Sequence, residues 1–153
     1  GSNTVRIIKA VYKCPVLVIP ENFEYVKPSR IAFATNFKRN FSLEIMKPVT
    51  SLAANMDASI HVVHINESEE LDKFQQANKD MLDDFLNPIE HEFHWMTYFS
   101  GKSDVMQYFL EEFQMDMLAL VHYKHGFLEE IIREPVVKRV AFHAKIPLLV
   151  MPE

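Results

Sequence analysis

EPVVKRVAFHAKIPLLVMPE (134–153) decides the fold, because SNTVRIIKAVYKCPVLVIPE (2–21) repeats it. Aligned without a gap, the two stretches match at Val5/Val137, Lys13/Lys145, Pro15/Pro147, Leu17/Leu149, Val18/Val150, Pro20/Pro152 and Glu21/Glu153. Arg6/Lys138, Ile8/Val140 and Val16/Leu148 are conservative. Each copy reads as an amphipathic helix, a proline, and a short apolar run closed by Pro-Glu. PVLVIP and PLLVMP are too short for helices, rich in branched residues and bounded by breakers, so each copy is an αβ unit. Chance similarity of two ordinary αβ units is the plainer alternative. The register of both prolines and the final Glu speaks against it. A self-match marks a repeated structural unit. Residues 1–21 are therefore expected to be the last helix and strand of a preceding domain, 22–28 a linker, and 29–153 one complete domain.

Between the repeats, strand and helix patterns alternate. RIAFATNF (30–37), SIHVVHI (59–65), HEFHWMTYF (91–99), MLALVHY (117–123) and PLLVM (147–151) are short apolar or aromatic runs, as buried parallel strands read. FSLEIMKPVTSLAANMDA (41–58) sets Ile45, Val49, Leu52 and Met56 on one stripe, with Pro48 predicting a kink or a late start. EELDKFQQANKDMLDDFLNPI (69–89) is a helix with Leu71, Phe74, Met81 and Phe85 inward, ending near Asn87-Pro88. SDVMQYFLEEFQ (103–114) is a helix with Ser103 as N-cap. FLEEIIREPVVKRVAFHA (127–144) is helical in two parts, with Pro135 suited to a first turn. The alternation predicts an α/β fold: an open, mostly parallel five-stranded sheet with helices on both faces, Rossmann-like, plus one extra edge strand from residues 15–19. Ligands in such sheets bind beyond the carboxyl ends of the strands, at the switch point. That places candidate residues at Thr35-Asn36-Phe37 and His122-Tyr123-Lys124-His125.

Composition narrows the function. With 153 residues, 48% hydrophobic and 12% aromatic, the chain can bury a core. No apolar run approaches the ~20 residues of a membrane helix, so no membrane partner is expected. A net charge of −5 argues against a nucleic-acid surface. The single cysteine, Cys14, fits a reducing, cytoplasmic setting; ahead of an apolar strand, it is expected to be buried and inert. The acidic stretch NESEELDKF (66–74) reads as the solvated start of a helix. With only three glycines, Gly1, Gly101 and Gly126, there is neither G-x-G-x-x-G nor a P-loop, so dinucleotide and P-loop chemistry are disfavoured. No G-x-S-x-G elbow accompanies the Ser and His residues. Asp83-Asp84 and Glu129-Glu130 lie on predicted helix exteriors, as solvated charge does. Met106, Met115 and Met117 read as core filler. His61/His64 and His91/His94, three apart on strands, point to opposite faces and do not chelate within a pair. His122 and His125, with no third ligand, fall short of a zinc site and read as exposed loop residues, so no metal is expected.

FATNF after the first strand, SIHVVHI, DMLALV from Asp116 and the ending VVKRVAFHAKIPLLV together resemble the universal stress protein family over residues 29–153. KCPVLVIP resembles the same ending in a second copy. The resemblance implies a stress-response domain, without catalysis, acting with a sister universal stress domain or as a homodimer. Pairing is expected through antiparallel strands 15–19 and 147–151. ATP-binding members carry G-x2-G-x9-G-[S/T] after the fourth strand. Anchored on Pro147, the glycine positions fall on Val121, Lys124 and Glu134 and the Ser/Thr on Pro135, while the Asp after the first strand is Asn36. The resemblance therefore implies no ATP and no other cofactor. Gly1-Ser2 resembles the Gly-Ser of the motif's end, one residue out of spacing. The alternative is a small-ligand or anion-binding module in the degenerate pocket of Asn36, His122, Lys124 and His125, with Lys124 foremost for anions. A cryptic hydrolase is a third possibility for which no nucleophile is evident.

Overall fold

A computed structural model describes residues 2–10, 13–66, 70–98, 100–123 and 145–153. Lys124, His125, Glu134, Pro135 and the helix expected over 127–144 lie outside the described residues. Among the described residues ten elements run α1 (Ser2–Ala10), β1 (Val16–Val18), β2 (Arg30–Ala34), α2 (Leu43–Met56), β3 (Ser59–Asn66), α3 (Lys73–Leu86), β4 (His91–Thr97), α4 (Lys102–Glu112), β5 (Met117–His122) and β6 (Leu148–Pro152). The strands form one sheet in the order β1-β6-β5-β2-β3-β4. All neighbours are parallel except β1, which runs antiparallel to β6. This is the five-stranded parallel sheet with one extra edge strand that the sequence predicts.

The two faces hold separate cores. Val63, Ile65, Leu118, Leu120 and Val150 meet Val105, Met106 and Phe109 of α4 and Ile8 of α1 on one side. Ile31, Phe33, Val62, Ala119 and Met151 meet Val49 and Ala53 of α2 and Leu82 and Leu86 of α3 on the other. Met106, Met115 and Met117 are buried fillers, as expected. Asp116 ties the start of β5 to that of β2: its Oδ2 accepts from Ser29 N at 2.8 Å, Ser29 Oγ at 2.9 Å and Arg30 N at 3.0 Å.

Five local expectations change. α2 is capped by Ser42, whose Oγ accepts from Ile45 N, and continues through Pro48, so it does not start late. Its fully buried residues are Met46, Val49 and Ala53, one position round from the expected stripe, with Ile45, Leu52 and Met56 partly buried beside them. α3 turns Gln75, Asn78, Leu82 and Leu86 inward and leaves Phe74 and Met81 exposed. The physical reason is that Gln75 and Asn78 have buried carbonyls to satisfy. Ser103 is not a cap but a buried residue inside α4, which starts after Gly101 without a side-chain cap. Cys14 is exposed, because it precedes a three-residue edge strand rather than a central one. The acidic stretch does open a helix: Asp72 caps α3 in a capping box with Gln75.

Candidate functional site: the crevice at the switch point

β2 has β3 on one side and β5 on the other, so the switch point lies between β2 and β5. The β2–β5 ladder runs as far as Phe33 opposite Ala119; Asn36 follows the end of β2, and His122 ends β5. These two sequence-predicted residues therefore lie at the carboxyl ends of neighbouring strands, whereas Lys124 and His125 fall outside the described residues.

The loop after β2 is fastened more tightly than its sequence suggests. Thr35 Oγ1 accepts from Phe37 N, and Asn36 Oδ1 accepts from Lys38 N, both at 3.0 Å. These are local turns of the kind Thr and Asn favour. Three consecutive carbonyls then receive side-chain donors. His64 Nδ1 donates to Thr35 O at 3.1 Å, Gln75 Nε2 to Asn36 O at 2.8 Å and Asn78 Nδ2 to Phe37 O at 2.8 Å. Because a carbonyl only accepts, His64 carries its proton on Nδ1. Phe37 holds a left-handed φ of 57° yet is fully buried. Its ring lies 5.1 Å from His64, 6.0 Å from Trp95 and 6.3 Å from Phe93, centroid to centroid.

Tyr123 joins this loop to the end of β5. Its hydroxyl donates to Asn40 O at 3.2 Å, and the Arg39 guanidinium stands 6.0 Å over its ring. Burial first, then the Glu153 carboxylate, push the phenol up to about 12 against the pull of Arg39, so it stays a neutral donor. His64, Gln75 and Asn78 were not singled out from the sequence for this site, whereas Tyr123 belongs to the expected stretch 122–125. The one available signal was an amide pair, Gln75 and Asn78, three apart on a helix, which periodicity alone reads as surface.

A second constellation lies at the opposite, amino end of the sheet. His61 and His94 sit on different strands, and the β3–β4 register brings them to one face: His61 is opposite Glu92, and His94 opposite Val63. Burial pushes His61 down to about 4, helped by the Arg30 guanidinium and His94. Burial also lowers His94, with Glu92 opposing and Arg30 assisting. Both rings are therefore neutral at pH 7. Within each strand the pairs do diverge as expected: His64 serves Thr35 on the other face, and His91 Nε2 donates to Asp83 Oδ1 at 2.7 Å on α3.

A sheet with this order and an antiparallel edge defines an open α/β fold with a switch point between β2 and β5. More narrowly, the fold is that of the universal stress proteins. A family protein from Burkholderia pseudomallei superposes with a TM-score of 0.54 at 15% identity, covering 85% of this chain and 100% of that one. A universal stress protein from Archaeoglobus fulgidus DSM 4304 gives 0.60 at 15% identity, over 91% of this chain and 50% of that one. A universal stress protein in complex with cAMP gives 0.61 at 14% identity, over 82% of this chain and 97% of that one. No family model matches the sequence, and no curated protein does. No helix among the described residues is long and apolar enough to cross a membrane.

Proposed function

We propose that the chain is a universal stress domain of the cytoplasm that acts in stress response by pairing through its terminal sheet edge, without catalysis. The register of β1 on β6 carries this reading. In the internal repeat Leu17 corresponds to Leu149, and those two residues pair with each other. Val16, the counterpart of Leu148, pairs with Val150, the counterpart of Val18; Val18 in turn pairs with Leu148. Counterpart meeting counterpart is how a two-fold axis arranges an isologous interface. α1 and β1 thus stand where the last αβ unit of a sister domain would stand. Removing residues 1–21 is expected to bare the β6 edge, an apolar row with unpaired backbone groups. Analytical ultracentrifugation should then find a dimer for residues 22–153 and a monomer for the full chain. A truncated chain that keeps its circular dichroism and stays monomeric would sink the pairing reading.

The switch-point crevice supports binding no ATP. Val121 stands where the family resemblance expects glycine, and its side chain is buried in the core with Phe33. Asn36 replaces the expected acidic acceptor, and its Oδ1 already receives Lys38 N. Each tenfold loss of affinity needs only ~1.4 kcal/mol, so penalties at a few places move a micromolar site toward millimolar. Calorimetric titration with Mg-ATP is expected to show no low-micromolar binding. The second reading, a small-ligand or anion module around Asn36, His122, Lys124 and His125, is favoured by the cAMP complex of one similar protein. One nucleotide per chain at low micromolar dissociation constant would install that reading instead.

A further inference from the structure

We propose that His61, Glu92 and His94 form a site for a divalent transition metal of the zinc class, at the amino end of the sheet and apart from the switch-point crevice. The three donor atoms converge. His61 Nδ1 and His94 Nε2 are 2.9 Å apart, and Glu92 Oε2 lies 3.9 and 3.7 Å from them. Zinc bonds of ~2.05 Å in a tetrahedron set donor atoms roughly 3.3–3.4 Å apart, so every separation is within about 0.5 Å of the required one. The two imidazoles are nearly buried, at 7% and 9% side-chain exposure, while the Glu92 side chain is 66% exposed. Two ligands are held in place, and the third is free to close.

The hydrogen bonds around His61 present the right face of the ring. Ser59 Oγ lies 3.3 Å from Ser29 O, to which only a hydroxyl proton can be given. The same oxygen lies 3.0 Å from His61 Nε2 and therefore accepts that nitrogen's proton. His61 Nδ1 is left as an acceptor, taking the 2.9 Å hydrogen bond from His94 Nε2; a metal would take over that lone pair as His94 moves its proton to Nδ1. A ligating imidazole that gives its other N–H to a neighbouring oxygen is the usual arrangement at metals. His94 is held by ring contacts to Phe109 and Phe113, at 5.1 and 4.9 Å between centroids. Two imidazoles and a carboxylate suit zinc and its neighbours in the transition series rather than calcium or magnesium. With three protein donors, a fourth position is left to water or an incoming ligand.

Arg30 opposes the cation. It lies on the adjacent strand, where Arg30 pairs with Ser59, and its guanidinium acts on both imidazoles. Its buried Nε has no hydrogen-bond partner among the described residues. Glu92 is then needed to offset it, which gives the site a signature that adventitious surface binding lacks. The test is calorimetric titration of the full chain with zinc, paired with visible absorption of the cobalt(II) form. One zinc per chain and cobalt bands of tetrahedral type are expected. Glu92→Gln should weaken binding by at least the about 10–100-fold lost at outer-shell positions. His61→Ala with His94→Ala should abolish it, and Arg30→Met should tighten it. The proposal is overturned if the intact chain takes up no zinc, or if Glu92→Gln leaves affinity unchanged. Because Glu92 is exposed, that variant decides the matter even where the double histidine variant fails to fold.

Discussion

Replacing Phe37 by Ala is expected to lower stability by about 3–5 kcal/mol, the usual loss for a buried aromatic truncated to Ala. Phe37 is fully buried, and its ring fills the space between His64, Phe93 and Trp95 at the carboxyl end of the sheet. The neighbours cannot easily close over the cavity, because His64, Gln75 and Asn78 are each pinned to the loop backbone. The backbone adds a second, separable effect. At a φ of 57°, Ala keeps the left-handed strain that Phe bears, whereas Gly removes it. Phe37→Gly should therefore recover roughly 1 kcal/mol relative to Phe37→Ala. Urea unfolding followed by the emission of Trp95, the single tryptophan, measures both. A Phe37→Ala loss under about 1 kcal/mol would show that the loop re-forms around the gap.

Most of the architecture was legible because burial writes it into the sequence. A strand buried on both faces leaves a run such as MLALV, and helices between such runs force parallel neighbours. The edge strand was legible for a different reason: Leu17 and Leu149 belong to one repeated pattern, and an isologous contact pairs a pattern with itself. What failed were cases where a polar side chain faces inward. Periodicity assigned Phe74 and Met81 to the core of α3, but Gln75 and Asn78 take that place. Likewise, the divergence of His61 from His64 and of His91 from His94 follows from strand pleat alone. The meeting of His61 with His94 needs the β3–β4 register, which no local pattern states. At the carboxyl end of the sheet, the switch-point rule named the positions of Asn36, His122 and Tyr123 but not the bond from Tyr123 to Asn40 O, which depends on which loop lies opposite.

The same inward amides give the second large effect. Asn78→Leu keeps the size and the helix while removing the donor to Phe37 O, at a residue only 2% exposed. A buried carbonyl left unsatisfied costs about 1–3 kcal/mol. Gln75→Leu removes the donor to Asn36 O and also the capping-box contact from Asp72 N to Gln75 Oε1 at 3.1 Å. The double variant is expected to lose about 2–5 kcal/mol. It should lose less than the sum of the single variants, because both amides hold one loop: once either carbonyl is freed, the segment can turn it toward water. Hydrophobic gain from two leucines on α3 works in the opposite direction, at about 25 cal/mol per Å² of apolar surface buried. A double-mutant cycle on urea midpoints, read with the slope held constant, isolates the coupling. If both leucine variants prove as stable as the parent chain, the amides do not hold the loop. α3 would then have tolerated the apolar stripe that its sequence periodicity favours.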